Sequence, residues 1–292
     1  MTSFLKRELT RFSLIAIVFL SACSKSSDLP ADTNDPYVNP VVTPAPATSG
    51  LQLSVDGAFG NILSDATGKT LYFFAIDADG KSGCTGGCEA AWPVYYAGNE
   101  TAPTGLIAAD ISTITRADGN KQTTYKGWPL YYYAGDTGKA VTGDKSGGTW
   151  FVAKPDYSIM LANNQLVGAD GKNYNGNAAE GTGATQHLTD DKGRTLYAFA
   201  PDKLNQNTYT KADLSNNSIW PIYESNVLNV PSVIKKDLMF QITAAGKKQL
   251  TYKGHPLYYF GADAKRGDTK GVSVPAPGVW PILTLNTPAL IN

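Results

Sequence analysis

This chain predicts an all-β fold assembled from tandem repeats, on three observations. The pattern Tyr-x-aromatic-x-x-Asp occurs four times, as Tyr72-x-Phe74-x-x-Asp77, Tyr131-x-Tyr133-x-x-Asp136, Tyr197-x-Phe199-x-x-Asp202 and Tyr258-x-Phe260-x-x-Asp263. Each copy follows a leucine and precedes a tryptophan, Trp92, Trp150, Trp220 or Trp280. Glycine, tyrosine and threonine are plentiful, and no long stretch carries apolar residues at helical spacing. A fourfold repeat constrains the architecture first. It also argues against an active site, because catalysis rarely needs four copies of one constellation.

The N-terminal 22 residues read as an export signal. Lys6, Arg7 and Arg11 precede an apolar run, Phe12 to Leu20, that is too short to span a bilayer. The run ends in Leu20-Ser21-Ala22-Cys23, which resembles the lipobox of bacterial lipoproteins and marks Cys23 for lipidation. Residues 23–50 then read as lipid anchor and tether. Their Ser, Asp, Thr and Pro content cannot bury enough apolar surface to order itself. A coil of that length reaches on the order of 30 Å. The expected location is the cell envelope, lipid-anchored and at the outer membrane. Removing residues 1–22 leaves 22 basic and 24 acidic residues. No basic stripe is present, so nucleic acid is not an expected partner. The membrane is, through the N-terminal lipid.

The remainder divides into two similar halves, 51–162 and 163–292. Thr124-Tyr125-Lys126-Gly127 recurs as Thr251-Tyr252-Lys253-Gly254, and Asp65-x-x-Gly68-x-Thr70-Leu71-Tyr72 recurs as Asp190-x-x-Gly193-x-Thr195-Leu196-Tyr197. Each half splits again into two four-stranded units with glycine turns at Asp56-Gly57, Asp118-Gly119, Asp170-Gly171 and Ala245-Gly246. The Leu-Tyr segments alternate with period two. Tyr131 and Tyr133 therefore face one way and Leu130 and Tyr132 the other. Both faces are bulky, which places these strands between packed layers. Two architectures fit: two tandem antiparallel domains, each a sandwich or partly closed barrel, or one four-bladed propeller.

The motif Asp has the wrong parity to share a face with its aromatic pair, and loop residues follow it. It reads as a strand-ending carboxylate that accepts backbone N–H bonds. A calcium ligand is the sharper alternative, but the closing acids of a calcium loop are missing. The motif aromatics read as core.

The motif resembles the bacterial family of predicted lipoproteins called secreted repeat of unknown function. The likeness extends to Gly68-x-Thr70-Leu71-Tyr72, to Cys84-Thr85-Gly86-Gly87-Cys88-x-x-x-Trp92-Pro93, and to Arg116-x-Asp118-Gly119-x-x-Gln122-x-x-Tyr125-x-Gly127-x-Pro129-Leu130-Tyr131. It implies an architecture in which one half folds alone, and an envelope compartment, but no catalytic residues. The second half departs from the pattern. It lacks the cysteines, has no counterpart of Arg116, and carries a longer Asn-rich loop, Asn205 through Ser218.

Candidates for chemistry are few. Cys84 and Cys88 most simply form a disulfide in an oxidising compartment, and a redox role is the alternative. Two isolated histidines make no metal site, and neither metal nor cofactor is expected. No hydrolase, phosphate-loop or dinucleotide motif is present. Trp128, Tyr132, His255 and Tyr259 form a possible ligand platform for a glycan or an envelope protein, with core packing as the alternative. The functional expectation is a non-enzymatic binding or interaction module. Its alternatives are a redox-linked accessory using Cys84 and Cys88, and a carbohydrate-binding or carbohydrate-active protein.

Overall fold

Alternating hydrophobicity and glycine turns give small antiparallel sheets throughout. The computed structural model describes residues 50–98 and 102–291, which fall within one compact unit. The predicted signal, Cys23 and the tether lie outside the described residues. In the first half β1 (Gln52–Asp56) and β2 (Gly60–Ser64) form a hairpin. Next comes β3 (Tyr72–Phe74), and then β4 (Ile111–Thr115), β5 (Lys121–Tyr125) and β6 (Trp128–Pro129) make a three-stranded sheet in that order. After it, β7 (Trp150–Val152) returns to pair with β3. The second half opens on β8 (Met160–Val167), followed by β9 (Asn173–Tyr174) and β10 (Ala184–Thr189), with β8 as the middle strand. Finally β11 (Met239–Ala244), β12 (Lys247–Tyr252) and β13 (His255–Pro256) repeat the sheet of β4, β5 and β6. The β11–β12 hairpin turns through Ala245 and Gly246, both at positive φ, as a two-residue turn requires.

The all-β expectation holds, but the expected four-stranded units do not form. The sheets have two or three strands, and single bridges tie them together. Among the described residues no barrel closes, and the quarters do not stand apart as blades of a propeller. The reason is visible at the centre of each half. The Leu-Tyr segments of adjacent quarters pair with each other, so each quarter's small sheet is tied to its neighbour's and is not completed by a fourth strand of its own. Tyr72 N–H donates to Tyr131 O at 2.8 Å and Tyr131 N–H to Tyr72 O at 3.1 Å. Tyr197 and Tyr258 exchange the same two bonds, both at 2.9 Å. Each half is thus arranged about a local pseudo-twofold axis.

The period-two alternation sorts side chains into two layers, as the sequence predicts. Leu71, Phe73 and Leu130 enter a core with Tyr95, Tyr125 and Trp128, against which Tyr132 packs. Tyr72, Phe74 and Tyr131 enter another with Trp92 and Trp150, against which Tyr133 packs. The second half repeats both layers. Leu196 and Leu257 lie in one, and Tyr197, Tyr258, Trp220 and Trp280 in the other.

The tryptophans meet across the local axes. Trp92 and Trp150 stack at 3.8 Å and 1°, and Trp220 and Trp280 at 3.8 Å and 7°. Gly143 and Gly271 lie against these stacks. A Cβ on Gly143 would stand 2.8 Å from the Trp92 ring, and one on Gly271 2.9 Å from the Trp220 ring. Only glycine lets the backbone approach so closely.

The halves join through polar groups. Lys126 Nζ reaches the Asp191 carboxylate at 2.6 Å, and Trp128 Nε1 donates to Asp191 O at 3.0 Å. Arg266 donates from Nε to Ala78 O at 2.7 Å and from Nη1 to Lys126 O at 3.2 Å. Its guanidinium lies 5.1 Å from the Trp128 ring centroid and fills a slot at Gly127 that any Cβ would close.

Because each tryptophan is about 95% or more buried in a ring stack, removing one leaves a large void. Trp280→Ala is expected to cost about 3–5 kcal/mol in denaturant unfolding. Loss of the near-ultraviolet dichroism of the stacked pair accompanies it.

Candidate functional site

The four motif carboxylates are structural, and their partners are swapped between quarters. Tyr72 OH donates to Asp136 Oδ2 at 2.6 Å, and Tyr131 OH donates to Asp77 Oδ2 at 2.6 Å. In the second half Tyr197 OH donates to Asp263 Oδ2 and Tyr258 OH to Asp202 Oδ2, both at 2.7 Å. Each Oδ1 then accepts a backbone N–H from further along its loop. The donors are Gly83 for Asp77, Thr142 for Asp136, Thr208 for Asp202 and Lys270 for Asp263. Each motif carboxylate thus accepts one backbone N–H from six or seven residues further on and one phenol from the adjacent quarter. A buried carboxylate needs such donors to remain in a low-dielectric core. Burial still pushes the Asp77 carboxyl up to about 7 and that of Asp263 to about 6, and it raises Asp202. Among the described residues no cluster of metal-ligating side chains forms.

The departures between halves converge on one place. Gln122 and Gln249 sit at equivalent positions, fully buried, and donate to Leu130 O and Leu257 O at 2.9 Å. Each needs a donor for its own carbonyl. In the first half Arg116 Nη1 supplies it at 3.0 Å, and in the second half Asn207 Nδ2 supplies it at 2.8 Å. Arg116 also bonds Ser82, Glu89 and Cys84 O, so it grips both sides of the loop closed by the Cys84–Cys88 disulfide. Cys84 is buried and Cys88 half-buried. The short helix Gly87–Ala91 leads from that loop into Trp92. In the second half Asn216 Nδ2 donates to Tyr209 O at 2.8 Å and its Oδ1 accepts Lys211 N–H. The Asn-rich loop thereby pins itself.

The possible platform residues do not form one surface. Trp128 is fully buried, so it offers no ring face to a solute; it serves the joint between halves. His255 is half-buried, with Nε2 2.9 Å from Pro288 O. Tyr132 OH donates to Asp65 Oδ2 at 3.0 Å, with Lys69 Nζ 4.8 Å from its ring centroid. Tyr259 repeats this arrangement. Its OH donates to Asp190 Oδ2 at 2.8 Å, and the Arg194 guanidinium stacks 4.0 Å from its ring centroid.

Tyr259 and Arg194 line a groove. One part, of about 450 Å³, also takes in Asn217, Ser218, Glu224 and Asp263. A second part, of about 290 Å³, shares Arg194, Glu224 and Tyr259 and reaches Lys126 and Asp156 of the first half. Arg194 Nε donates to Asp190 Oδ2 at 2.8 Å and Nη2 to Tyr259 OH at 2.6 Å, while its side chain remains 52% exposed. The guanidinium is held from behind and open in front. His187 lies elsewhere, buried at β10. Desolvation pushes it down to about 4 and it stays neutral.

Residues 54–95, 112–154 and 241–284 match a family model described as a secreted repeat of unknown function. Three segments of the chain are thus similar to this secreted repeat. The matched segments hold Tyr72, Tyr131 and Tyr258. Tyr197 lies outside them, yet its pair with Asp263 gives its quarter the geometry of the others. No curated protein and no solved structure matches the chain. Among the described residues no helix is long and apolar enough to cross a membrane. The family's description as secreted suggests an extracellular or envelope protein.

Sequence reasoning passed over Asp190 and Arg194 as site residues. The signal was the repeat of Asp65-x-x-Gly68-Lys69 as Asp190-x-x-Gly193-Arg194, which sets a cation four residues after an acid in both halves.

Three outcomes test these assignments. Asp77 binds its proton more tightly folded than unfolded. It therefore adds most stability below pH 4 and loses that contribution as pH rises through about 7. The difference in unfolding free energy between the parent and Asp77→Asn is expected to slope across that window and flatten above it. His187 contributes in the opposite sense, since its stabilisation is complete above pH 6.5 and fades toward 4. In His187→Gln that fall toward acid disappears. Separately, Arg116→Ala leaves the Gln122 carbonyl without its donor. A loss of about 1–3 kcal/mol is expected in chemical denaturation.

Proposed function

We propose that the protein is a lipid-anchored envelope module that binds a ligand and does not transform one. Cys23 carries the lipid, at the outer membrane. The observation that carries the proposal is how the polar groups are divided. The fourfold carboxylates and phenols are paired with one another within the scaffold, Asp263 also bordering the groove, whereas Arg194, Asn217, Ser218 and Glu224 line that open groove. The groove's size suits a small polar ligand or one segment of a larger one. Its mixture of amide, hydroxyl and paired charges favours a polyhydroxylated or peptide ligand of the envelope over an apolar one. The Tyr259 ring is covered by Arg194, so recognition works through the fixed guanidinium and the groove amides, not through ring stacking.

A second reading uses Cys84 and Cys88 as a redox pair, and half-exposure of Cys88 favours it. Thiol titration of protein taken from the envelope separates the readings. Reduced cysteines as isolated support the redox role, and a fully oxidised pair that resists envelope thiol partners supports the structural one.

Binding is tested with residues 24–292 titrated against soluble envelope glycans and peptidoglycan fragments, followed by calorimetry. Saturable binding that drops at least about tenfold in Arg194→Ala, or ~1.4 kcal/mol, and is unchanged in Lys69→Ala supports the groove. Binding equal in both variants counts against it. A stoichiometric metal or chromophore in the purified protein would sink the plain binding-module reading.

A further inference from the structure

The two halves present the same face, and different partners cover it. In the first half the face is Lys126-Gly127-Trp128, and in the second it is Lys253-Gly254-His255. Lys126 and Lys253 both adopt positive φ, at 49° and 52°. The first face is covered by the second half of the chain. The second face is covered by the segment that follows Trp280, residues 284–290.

Four bonds of the first face have counterparts on the second, while the bond of Arg266 Nε to Ala78 O is matched by none of them. The Lys126 ammonium donates to Pro155 O at 2.8 Å and to the Asp191 carboxylate at 2.6 Å. That of Lys253 donates to Leu285 O at 2.7 Å and to Thr287 O at 2.8 Å. Trp128 Nε1 donates to Asp191 O at 3.0 Å, and His255 Nε2 donates to Pro288 O at 2.9 Å. The carbonyl of Lys126 accepts Arg266 Nη1 at 3.2 Å, and that of Lys253 accepts Leu290 N–H at 3.0 Å. Residues 287–290 therefore reproduce, with three backbone carbonyls or amides, what Asp191 and Arg266 do for the first face. The cover is thin: Asn286, Pro288 and Ala289 are exposed.

The edge that docks on the first face also has a counterpart. Arg266 follows the motif Asp263 by three positions and lies against Gly193, its Nη2 2.9 Å from where a Cβ would stand. Lys139 follows Asp136 by three positions and lies against Gly68, its Cε 2.8 Å from the corresponding point. Ala66 occupies the position of Asp191. Ala66 and Lys139 are both exposed. The contact to the ring N–H uses a backbone carbonyl, which alanine supplies as well as aspartate. Lysine can replace arginine as donor to a single carbonyl. Two features weaken this edge relative to its model. Ala66 has no carboxylate for Lys253, and Leu204 already fills part of the slot at Gly254.

We infer that residues 286–290 are a strap standing in for a neighbouring repeat half, and that the face beneath them docks the Ala66–Lys139 edge of a second copy of this chain. The contact is heterologous, the edge of one copy on the face of the next. It extends the half-on-half joint already present within the chain, as stacked repeats do. The strap caps that extension, and the missing carboxylate keeps the strap competitive.

The test is sedimentation of residues 24–292 with and without residues 286–292. The strapped protein stays monomeric. The strapless protein associates to dimer mass and above as its concentration is raised, and Lys139→Glu returns it to monomer. A folded strapless protein that remains monomeric at its solubility limit overturns the inference. So does association that Lys139→Glu leaves intact, since that marks non-specific exposure. Near-ultraviolet dichroism of the tryptophan stacks reports whether the strapless chain is folded. If it is not, Leu290→Asp in the strapped chain decides. Weak association suppressed by Lys139→Glu supports the strap, and a strictly monomeric Leu290→Asp protein counts against it.

Discussion

A carboxylate that cannot be buried without its neighbour's phenol governs this molecule. Each motif Asp ends its strand inside a core and needs donors there, because an unpaired buried carboxylate costs several kcal/mol. The Tyr that supplies one belongs to the adjacent quarter. The exchange is reciprocal, and the backbone bonds between the same tyrosines reinforce it. A single quarter could satisfy neither its Asp nor its Tyr. The smallest self-consistent unit is the pair, and the tryptophan stack closes the same pair from the other end.

Around that constraint the two halves solve a second problem differently. The loop after each first-quarter Asp must be pinned so that its tryptophan reaches the stack, and the buried Gln at its base must find a donor. One half uses a disulfide with an arginine, and the other uses two asparagines. The same demand therefore explains features that look unrelated along the chain: the cysteines, Arg116 and the Asn-rich loop. Trp128 and His255 are a further case. Both donate a ring N–H to a backbone carbonyl of whatever covers their face. The substitution preserves a donor, not an aromatic platform.

This division of labour leaves the motif groups paired within the scaffold, with Phe260 and Asp263 bordering the groove. Groups that repeat four times are satisfied internally, and burial of the motif tyrosines pushes their phenols far above the ordinary range. The groups left open to solvent occur at the groove of the second half, where Arg194 is fixed from behind by Asp190 and Tyr259. The first half holds a lysine over the equivalent ring, a point charge in place of a planar fork. The halves share a scaffold and differ in what they present.

From the sequence alone follow the all-β class, the internal repeat and the two-faced Leu-Tyr strands. These depend on local periodicity and turn chemistry, which a linear pattern records directly. Tertiary structure alone decided which Tyr serves which Asp, because partners some 54 to 66 residues apart leave no mark in spacing. It also replaced four-stranded units by small sheets paired across a pseudo-twofold axis, and it moved Trp128 from a possible surface to a buried joint. Position in a sequence says what a side chain can donate or accept. Only the fold brings the partner that makes it do so.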